Sequence, residues 1–178
     1  TMDEEAGPGT LRKIPHAVEA IHECIMAVSS FLGLGNCVIQ HAKDVCSKLH
    51  TALAPKCRLA RMKEGVALAC VKAACDSMGV QRTLKEFLSQ SACQCSAKHL
   101  NAANKLLHAT LHLESVPVRA SDLLLRFCEM LGVDFTAAKR ALQRTQAAEM
   151  IKARHAATLA AAAIVMGCGV EVGDAARA

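Results

Sequence analysis

A run of small apolar residues from position 66 to 75 carries a single charge, on Lys72. A helix that is apolar on nearly every side is a buried helix, and small side chains let neighbouring helices approach it closely. The run is followed by Gly79, the residue type that commonly ends helices in the left-handed conformation. Thr83 and Glu86 then form a Thr-x-x-Glu capping box, which starts another helix. We therefore expect a buried central helix, a short loop and a second helix.

The composition favours helices over sheets. Hydrophobic residues make up 52% of the 178 residues, but aromatic residues make up only 2%, and there is no Trp or Tyr. Alanine, leucine and cysteine must therefore fill the core. Alanine and leucine are strong helix formers, whereas strands favour β-branched and aromatic residues. The predicted fold class is all-α.

Apolar residues recur at helical spacing along most of the chain. Between Ile14 and Leu32 they step by three or four positions, which predicts a long helix that ends at Gly33. The alanine-rich segment at 156–168 is too short to span a membrane, which takes about 20 apolar residues, and we expect a second buried helix there. Residues suited to cap the remaining helices are Asn36, Ser96, Ser121 and either Asp134 or Thr136.

The chain contains an internal repeat. The tetrapeptide Phe31-Leu-Gly-Leu matches Met130-Leu-Gly-Val, 99 positions later. The two alanine-rich helices match at a spacing of 93, which aligns Arg61 with Arg154. Because self-similarity of this kind is the signature of repeated structural units, we expect a tandem arrangement in which five helices surround a buried third helix.

The predicted organisation has four parts. Residues 1–11 are expected to be a flexible leader, and 12–113 the first five-helix unit. A linker at 114–120 leads to the second unit at 121–178. The second unit is expected to be incomplete, because it has no counterpart of residues 78–85.

Positive charge is concentrated in the middle of the chain. The formal net charge is +5, but residues 55–112 hold nine Lys or Arg against three Asp or Glu, a net +6. Residues 1–54 are at −2 and residues 113–178 at +1. A basic surface of this kind suits nucleic acid or an acidic partner, and an ordinary solvated helix surface remains the alternative.

The ten cysteines and eight histidines do not form an obvious metal or disulfide pattern. No Cys-x-x-Cys pair occurs, and most cysteines fall at apolar helical positions, where a free thiol behaves as a small hydrophobic group. His108 and His112 have helical spacing but no third ligand nearby. No catalytic triad, phosphate-binding glycine loop or carboxylate pair stands out, so no cofactor and no enzyme activity are expected.

The central stretch resembles a known family. The pattern Ala69-Cys-x-x-x-Ala-Cys-x-x-x-Gly79-Val-x-Arg-Thr-x-Lys-Glu86 looks like the first cyclin-type repeat of transcription factor IIB. Further along, the segment from Ser121-Asp through Arg126-Phe-Cys resembles the start of that family's second repeat. The run from Ala160 to Met166 resembles the third helix of the same repeat.

The resemblance implies a fold and a function. The core of that family consists of two five-helix cyclin-like repeats. It binds the complex of the TATA-binding protein with promoter DNA and bridges that complex to RNA polymerase II or a related polymerase. The resemblance therefore implies a non-enzymatic initiation factor that acts in the nucleus, without membrane association.

The resemblance also implies which basic residues make contacts. Arg61 matches a residue beside the DNA, Lys63 is near it, and Arg154 occupies the equivalent place in the second repeat. The residues expected to contact DNA are Arg61, Lys63, Arg82, Lys85 and Arg154. Two basic residues seven positions apart, Lys98 and Lys105, are expected on the side of the fifth helix that faces the TATA-binding protein.

Three positions depart from the family pattern and weaken the expected positive surface: Ala60, Asp76 and Ala97. Two other classes of function stay open. One is a cyclin-type regulatory subunit that binds a protein kinase, although the Lys and Glu pair used for kinase contact has no convincing match. The other is an enzyme with a site between helices.

Overall fold

The computed structural model describes residues 15–53, 62–89, 95–113, 117–147 and 155–169. These residues form eight α-helices and no strand, which confirms the predicted all-α class for the part of the chain that is described. The helices are α1 (His16–Phe31), α2 (Asn36–Ala52), α3 (Lys63–Ser77), α4 (Leu84–Ser89), α5 (Ala97–Leu111), α6 (Ala120–Leu131), α7 (Phe135–Ala147) and α8 (Ala156–Cys168). The predicted leader at 1–11 lies outside the described residues.

Helix α3 is the centre of the first group of helices, as its composition predicts. It packs against α1, α2 and α5. Nine of its fifteen residues are buried, including the whole run from Gly65 to Val71. Because α3 has almost no polar side, it is stabilised by neighbours on several sides at once.

The buried apolar residues separate into two clusters. The first joins α1, α2, α3 and α5 with Phe87 of α4. The second joins α6, α7 and α8, and it includes Leu124, Phe127 and Ile164. Within the described residues, each cluster is therefore a core of its own.

The two groups of helices repeat the same packing. In the first, α1, α2 and α3 all contact one another, and in the second α6, α7 and α8 do the same. The ends of α1 and α6 are also alike: Gly33 and Gly132 have φ values of 61° and 65°. In both cases the next residue donates its backbone N–H to a carbonyl five positions earlier, the bond of a Schellman cap.

Two predicted helix starts differ by one or two residues. Asn36 is the first residue of α2, and Gly35 occupies the cap. Ser121 lies inside α6, because the Asp122 carboxylate accepts the backbone N–H of Arg119 at 2.9 Å and so begins the helix earlier. The other predicted caps are present at Ser96 and Asp134.

Helix α8 is less buried than its sequence suggests. Only Ala160, Ala163 and Ile164 are buried, and Met166 is 53% exposed. The described neighbours of α8 are α6 and α7, so its remaining sides have no helix equivalent to α5 packed on them. The prediction of a second fully buried helix is therefore wrong for the described part of the chain.

All eight cysteines among the described residues are free, and four of them are fully buried, namely Cys46, Cys70, Cys75 and Cys128. Burial raises the pKa of the Cys75 thiol to about 11, which keeps it protonated. None of the described helices is long and apolar enough to cross a membrane.

Candidate nucleic-acid interface

The first turns of α3 and α5 lie side by side. Gly65 is so close to α5 that a Cβ atom at this position would sit 3.2 Å from the carbonyl oxygen of His99. Lys63 is the first residue of α3 and Lys98 is the second residue of α5, and both side chains are exposed. The close approach at Gly65 therefore brings two predicted contact residues to the same end of the molecule.

The local field at this end is positive. The N-terminus of each helix carries partial positive charge from its unpaired backbone N–H groups. In α5 one of those groups, on His99, is satisfied by Ser96 Oγ at 3.3 Å. Glu64 provides one opposing negative charge. Burial is the main cause of the raised pKa of the Cys95 thiol, and the charge of Glu64 is the second cause.

Lys105 extends this surface along α5. It lies seven residues beyond Lys98, which is two helical turns on the same side, and its side chain is exposed. We call the surface formed by Lys63, Lys98 and Lys105 the α3–α5 end. Arg61, two residues before Lys63, lies outside the described residues, as do Arg154 and position Ala60.

Arg82 is held at the opposite end of α3, and its side chain is directed into the protein. Its guanidinium donates to the carbonyl oxygens of Leu32 at 3.3 Å and Gln81 at 3.2 Å. Burial, and then the nearby positive charge of Arg126, lowers the pKa of Arg82 below its ordinary value. The group stays charged at neutral pH, but its hydrogen bonds to carbonyl groups favour a structural role.

Glu86 connects the two groups of helices. The predicted capping box is present: Glu86 Oε2 accepts from the backbone N–H of Thr83 at 2.6 Å and from its hydroxyl at 2.7 Å. The same carboxylate also accepts two hydrogen bonds from Arg126 of α6, one of them at 2.9 Å. We call Arg82, Thr83, Glu86 and Arg126 the junction.

The charges in the junction stabilise one another. Burial alone would raise the pKa of Glu86, but hydrogen bonds from Arg126 and Thr83 outweigh burial and lower it. The two paired side chains are only 20% and 22% exposed. A paired, bidentate arginine and carboxylate at this burial is a specific contact and not a loose surface pair.

Lys85 is separate from both surfaces. It is an exposed residue of the short helix α4 and belongs to neither the α3–α5 end nor the junction. A helix of fifteen residues is about 22 Å long, so α3 separates Lys63 from Arg82 by roughly that distance. The predicted basic residues thus do not form a single patch.

A polar cleft lies beside the junction. It is lined by Asp76, Gly79 and Gln81 on one side and by Pro117, Arg119 and Asp122 on the other. Asp76 pairs with Lys72 at 2.5 Å. The lining holds two carboxylates and one arginine, so it lacks the excess positive charge that would suit a phosphate group.

The described residues contain no cluster of three metal-ligating side chains. His108 and His112, the two histidines at helical spacing, have separate roles. His108 Nδ1 lies 2.9 Å from the carbonyl oxygen of Leu113 and donates to it. His112 has φ = 50° and caps the end of α5.

Arg126 is the member of the junction whose role the sequence did not reveal. It follows Leu123 and Leu124 and precedes Phe127 and Cys128, all of them buried, so a charge is unexpected there. That contrast is a sequence signal, but its partner Glu86 is 40 positions away and cannot be inferred from local spacing.

The chain is similar to known proteins named transcription initiation factor IIB. The transcription initiation factor IIB of Archaeoglobus fulgidus is 29% identical over 140 residues, a match that covers 77% of this chain and 41% of the relative. The factor of the same name from Xenopus laevis is 30% identical over 109 residues, covering 60% of this chain and 34% of the relative. These similarities support the resemblance to the transcription factor IIB family seen in the central stretch.

No protein-family model matches the chain. The matches span well under half the length of these transcription factor IIB relatives. They nevertheless extend over more than one of the helix groups described above, because 140 residues exceed the length of either group. The repeated all-helical packing is consistent with the cyclin-like fold that the resemblance implies.

Proposed function

We propose that the chain is a general transcription initiation factor of the IIB type, which binds the complex of the TATA-binding protein with promoter DNA and helps to recruit RNA polymerase II or a related polymerase. The observation that carries the proposal is the match, in an archaeon and in a vertebrate, to two proteins named as initiation factor IIB. The proposed place of action in a eukaryotic cell is the nucleus.

The α3–α5 end supports this function. Phosphate groups are bound by exposed lysines and by helix N-termini, and such contacts fix position without reading sequence. Lys63 and the start of α3 would contact DNA, together with Arg61. Lys98 and Lys105 would face the TATA-binding protein, and Lys85 and Arg154 would supply further DNA contacts.

The role of Arg82 is better explained by the junction. Its guanidinium is half-buried and donates to the Leu32 carbonyl, which leaves it less free for DNA than Lys63. We propose that Arg82 acts mainly by positioning α4 against α1, so that Lys85 is presented correctly.

The test is a mobility shift on TATA-containing duplex DNA with the TATA-binding protein, over a range of salt concentrations. Lys63→Glu and Lys98→Glu should each weaken the ternary complex. The matched control is Lys48→Glu, the same change at an exposed position of α2 that is assigned no contact. If the wild-type chain forms no ternary complex at low salt, or if the control weakens it equally, the proposal fails.

The main alternative is a cyclin-type regulatory subunit. Copurification of the wild-type chain with an active protein kinase, in place of the TATA-binding protein, would favour that alternative. In that case Lys63→Glu and Lys98→Glu would leave the copurified kinase activity unchanged.

A further inference from the structure

The polar cleft beside the junction lies between the two groups of helices. Its lining comes from the end of α3 and the loop after it, and from the start of α6 and the segment before it; the six residues are Asp76, Gly79, Gln81, Pro117, Arg119 and Asp122. Its volume is about 330 Å³, near the lower end of the range of about 300–1,000 Å³ that ligand sites span. The size of the cleft therefore suits a small molecule.

The deepest part of the cleft is formed by Gln81. It is only 6% exposed and is the one buried residue of the lining. Its side-chain oxygen, Oε1, is buried and has no hydrogen-bond partner among the described residues. Buried polar groups are normally paired, and the terminal torsion of a glutamine is soft, so the amide can turn this oxygen toward a bound donor. The cleft thus contains an acceptor that a ligand would satisfy.

Two carboxylates add further acceptors. A carboxylate can accept about four hydrogen bonds. Among the described residues, Asp76 accepts from Lys72 at 2.5 Å. Asp122 accepts from the backbone N–H of Arg119 at 2.9 Å and from the Ser121 hydroxyl at 3.1 Å. Both carboxylates therefore keep free accepting capacity, and together with the glutamine oxygen they match the three N–H donors of an ammonium group.

Arg119 provides the opposite charge in the lining. Its side chain is exposed, and its guanidinium makes no hydrogen bond or ion pair with a described residue. The two ion pairs of the described residues involve other side chains. Arginine binds carboxylates through two parallel hydrogen bonds. The cleft therefore offers an unpaired cation to a carboxylate, close to acceptors that suit an ammonium group.

The balance of charge selects the class of ligand. Lys72 offsets Asp76, and Arg119 offsets Asp122, so the cleft and its ion-pair partner are neutral overall. A simple amine would be repelled by Arg119, and a simple anion would be repelled by both carboxylates. A molecule that carries both an ammonium and a carboxylate group meets an opposite charge at each end.

We propose that the polar cleft binds a small zwitterion of the amino-acid class. Its ammonium group would donate to Gln81 Oε1 and to the carboxylates of Asp76 and Asp122, and its carboxylate would accept from Arg119. This site is separate from the α3–α5 end and takes neither DNA nor a protein, so it goes beyond the proposed function. Because the two sides of the cleft belong to different groups of helices, the bound molecule would also hold them together beside the junction.

Thermal unfolding of the chain alone tests the proposal. Free amino acids are added one at a time at neutral pH, and for each one that stabilises the protein two analogues are added, the amine without the carboxylate and the N-acetylated amino acid. At about ten times its dissociation constant, a ligand of the native state should raise Tm by roughly 3–6 °C for a chain of this length. Each analogue lacks one charge and should raise Tm much less. If no amino acid raises Tm, or if either analogue raises it equally, the inference is overturned.

Two substitutions locate the site. Arg119→Gln removes the positive charge of the lining from an exposed side chain and should weaken binding by about tenfold or more, measured by isothermal titration calorimetry. Gln81→Leu should also weaken binding, whereas the free protein should keep or gain stability, because an apolar side chain of similar size replaces an unpaired polar group. Loss of stability with unchanged affinity would show that Gln81 has a structural role and would contradict the site.

The matched control is Arg140→Gln, the same change at an exposed position of α7, which should leave the affinity unchanged. Circular dichroism checks that every variant keeps the wild-type helix content. Equal weakening by the control, or wild-type affinity in both cleft variants, would overturn the inference. Neither DNA nor the TATA-binding protein enters these measurements, so their outcome is independent of the proposed function.

Discussion

Glu86 shows how one side chain serves two structural purposes. Its carboxylate closes the capping box at the start of α4 by accepting both hydrogen bonds of Thr83. It also receives the bidentate contact from Arg126, which belongs to the other group of helices. Because both sets of donors favour the charged form, the pKa of Glu86 is lowered despite burial.

The lowered pKa predicts a pH dependence of stability. A carboxyl group whose pKa is lower in the folded state stabilises the protein above its unfolded pKa, about 4.3 for Glu, and this contribution is lost as the pH falls through the folded value. Wild type should therefore exceed Glu86→Gln in stability at neutral pH, and the difference should shrink in acid. Urea unfolding of both proteins between about pH 3 and pH 7 measures it. A difference that stays constant over this range would contradict the assignment.

Close packing between helices depends on single glycines. Gly167 lies inside α8, where a Cβ atom would be 2.6 Å from the carbonyl oxygen of Ala137 in α7. At Gly65 in α3 the corresponding distance, to the carbonyl oxygen of His99 in α5, is a less severe 3.2 Å. The packing of α8 on α7 therefore tolerates an added side chain less well than the packing of α3 on α5.

Gly167→Ala should destabilise the protein even though alanine is the better helix former by about 1 kcal/mol. The added methyl group would push against backbone atoms that cannot rotate away, and overpacking of this kind costs about 1–3 kcal/mol. Gly65→Ala, the comparison variant, should cost less. Thermal unfolding of both variants measures the difference. Equal or increased stability of Gly167→Ala would show that α7 and α8 separate easily.

The two repeats are joined by polar contacts more than by a shared core. Their apolar clusters are separate in the described residues, and the junction supplies the charged contact between α4 and α6. Hydrogen bonds have strict geometry, so such a contact fixes orientation more than it adds stability. We expect the junction to set the orientation of the second group of helices relative to the α3–α5 end.

A double-mutant cycle tests this coupling. Glu86→Gln, Arg126→Gln and the double variant should give a coupling free energy within the range of about 0.5–3 kcal/mol that is usual for residues in contact. The control is the Lys72–Asp76 pair within α3, for which about 0.3–0.5 kcal/mol is expected. Urea unfolding provides all the values. A coupling at the junction no larger than that of the control pair would show that the junction does not hold the repeats together.

Much of the fold follows from local patterns along the chain. The apolar run at α3, the glycine after α1 and its repeat after α6, and the Thr83–Glu86 capping box are all present as the sequence predicts. These features are local, because the helix cap and the capping box involve residues within about five positions and the apolar run is one continuous segment. The repeat and the small-residue composition then limited the architecture to helices packed around a central helix.

The arrangement of the basic residues required the folded chain. The sequence assigned Lys63 and Arg82 alike to DNA contact, but α3 begins at Lys63 and ends before the loop that carries Arg82, so the two residues lie far apart. It gave Arg126 no role, because the partner of Arg126 is 40 positions away and meets it only after the two repeats pack. The sign of a side chain's charge can be read from the sequence. Its role depends on burial and on the nearest opposite charge, and both of these result from packing.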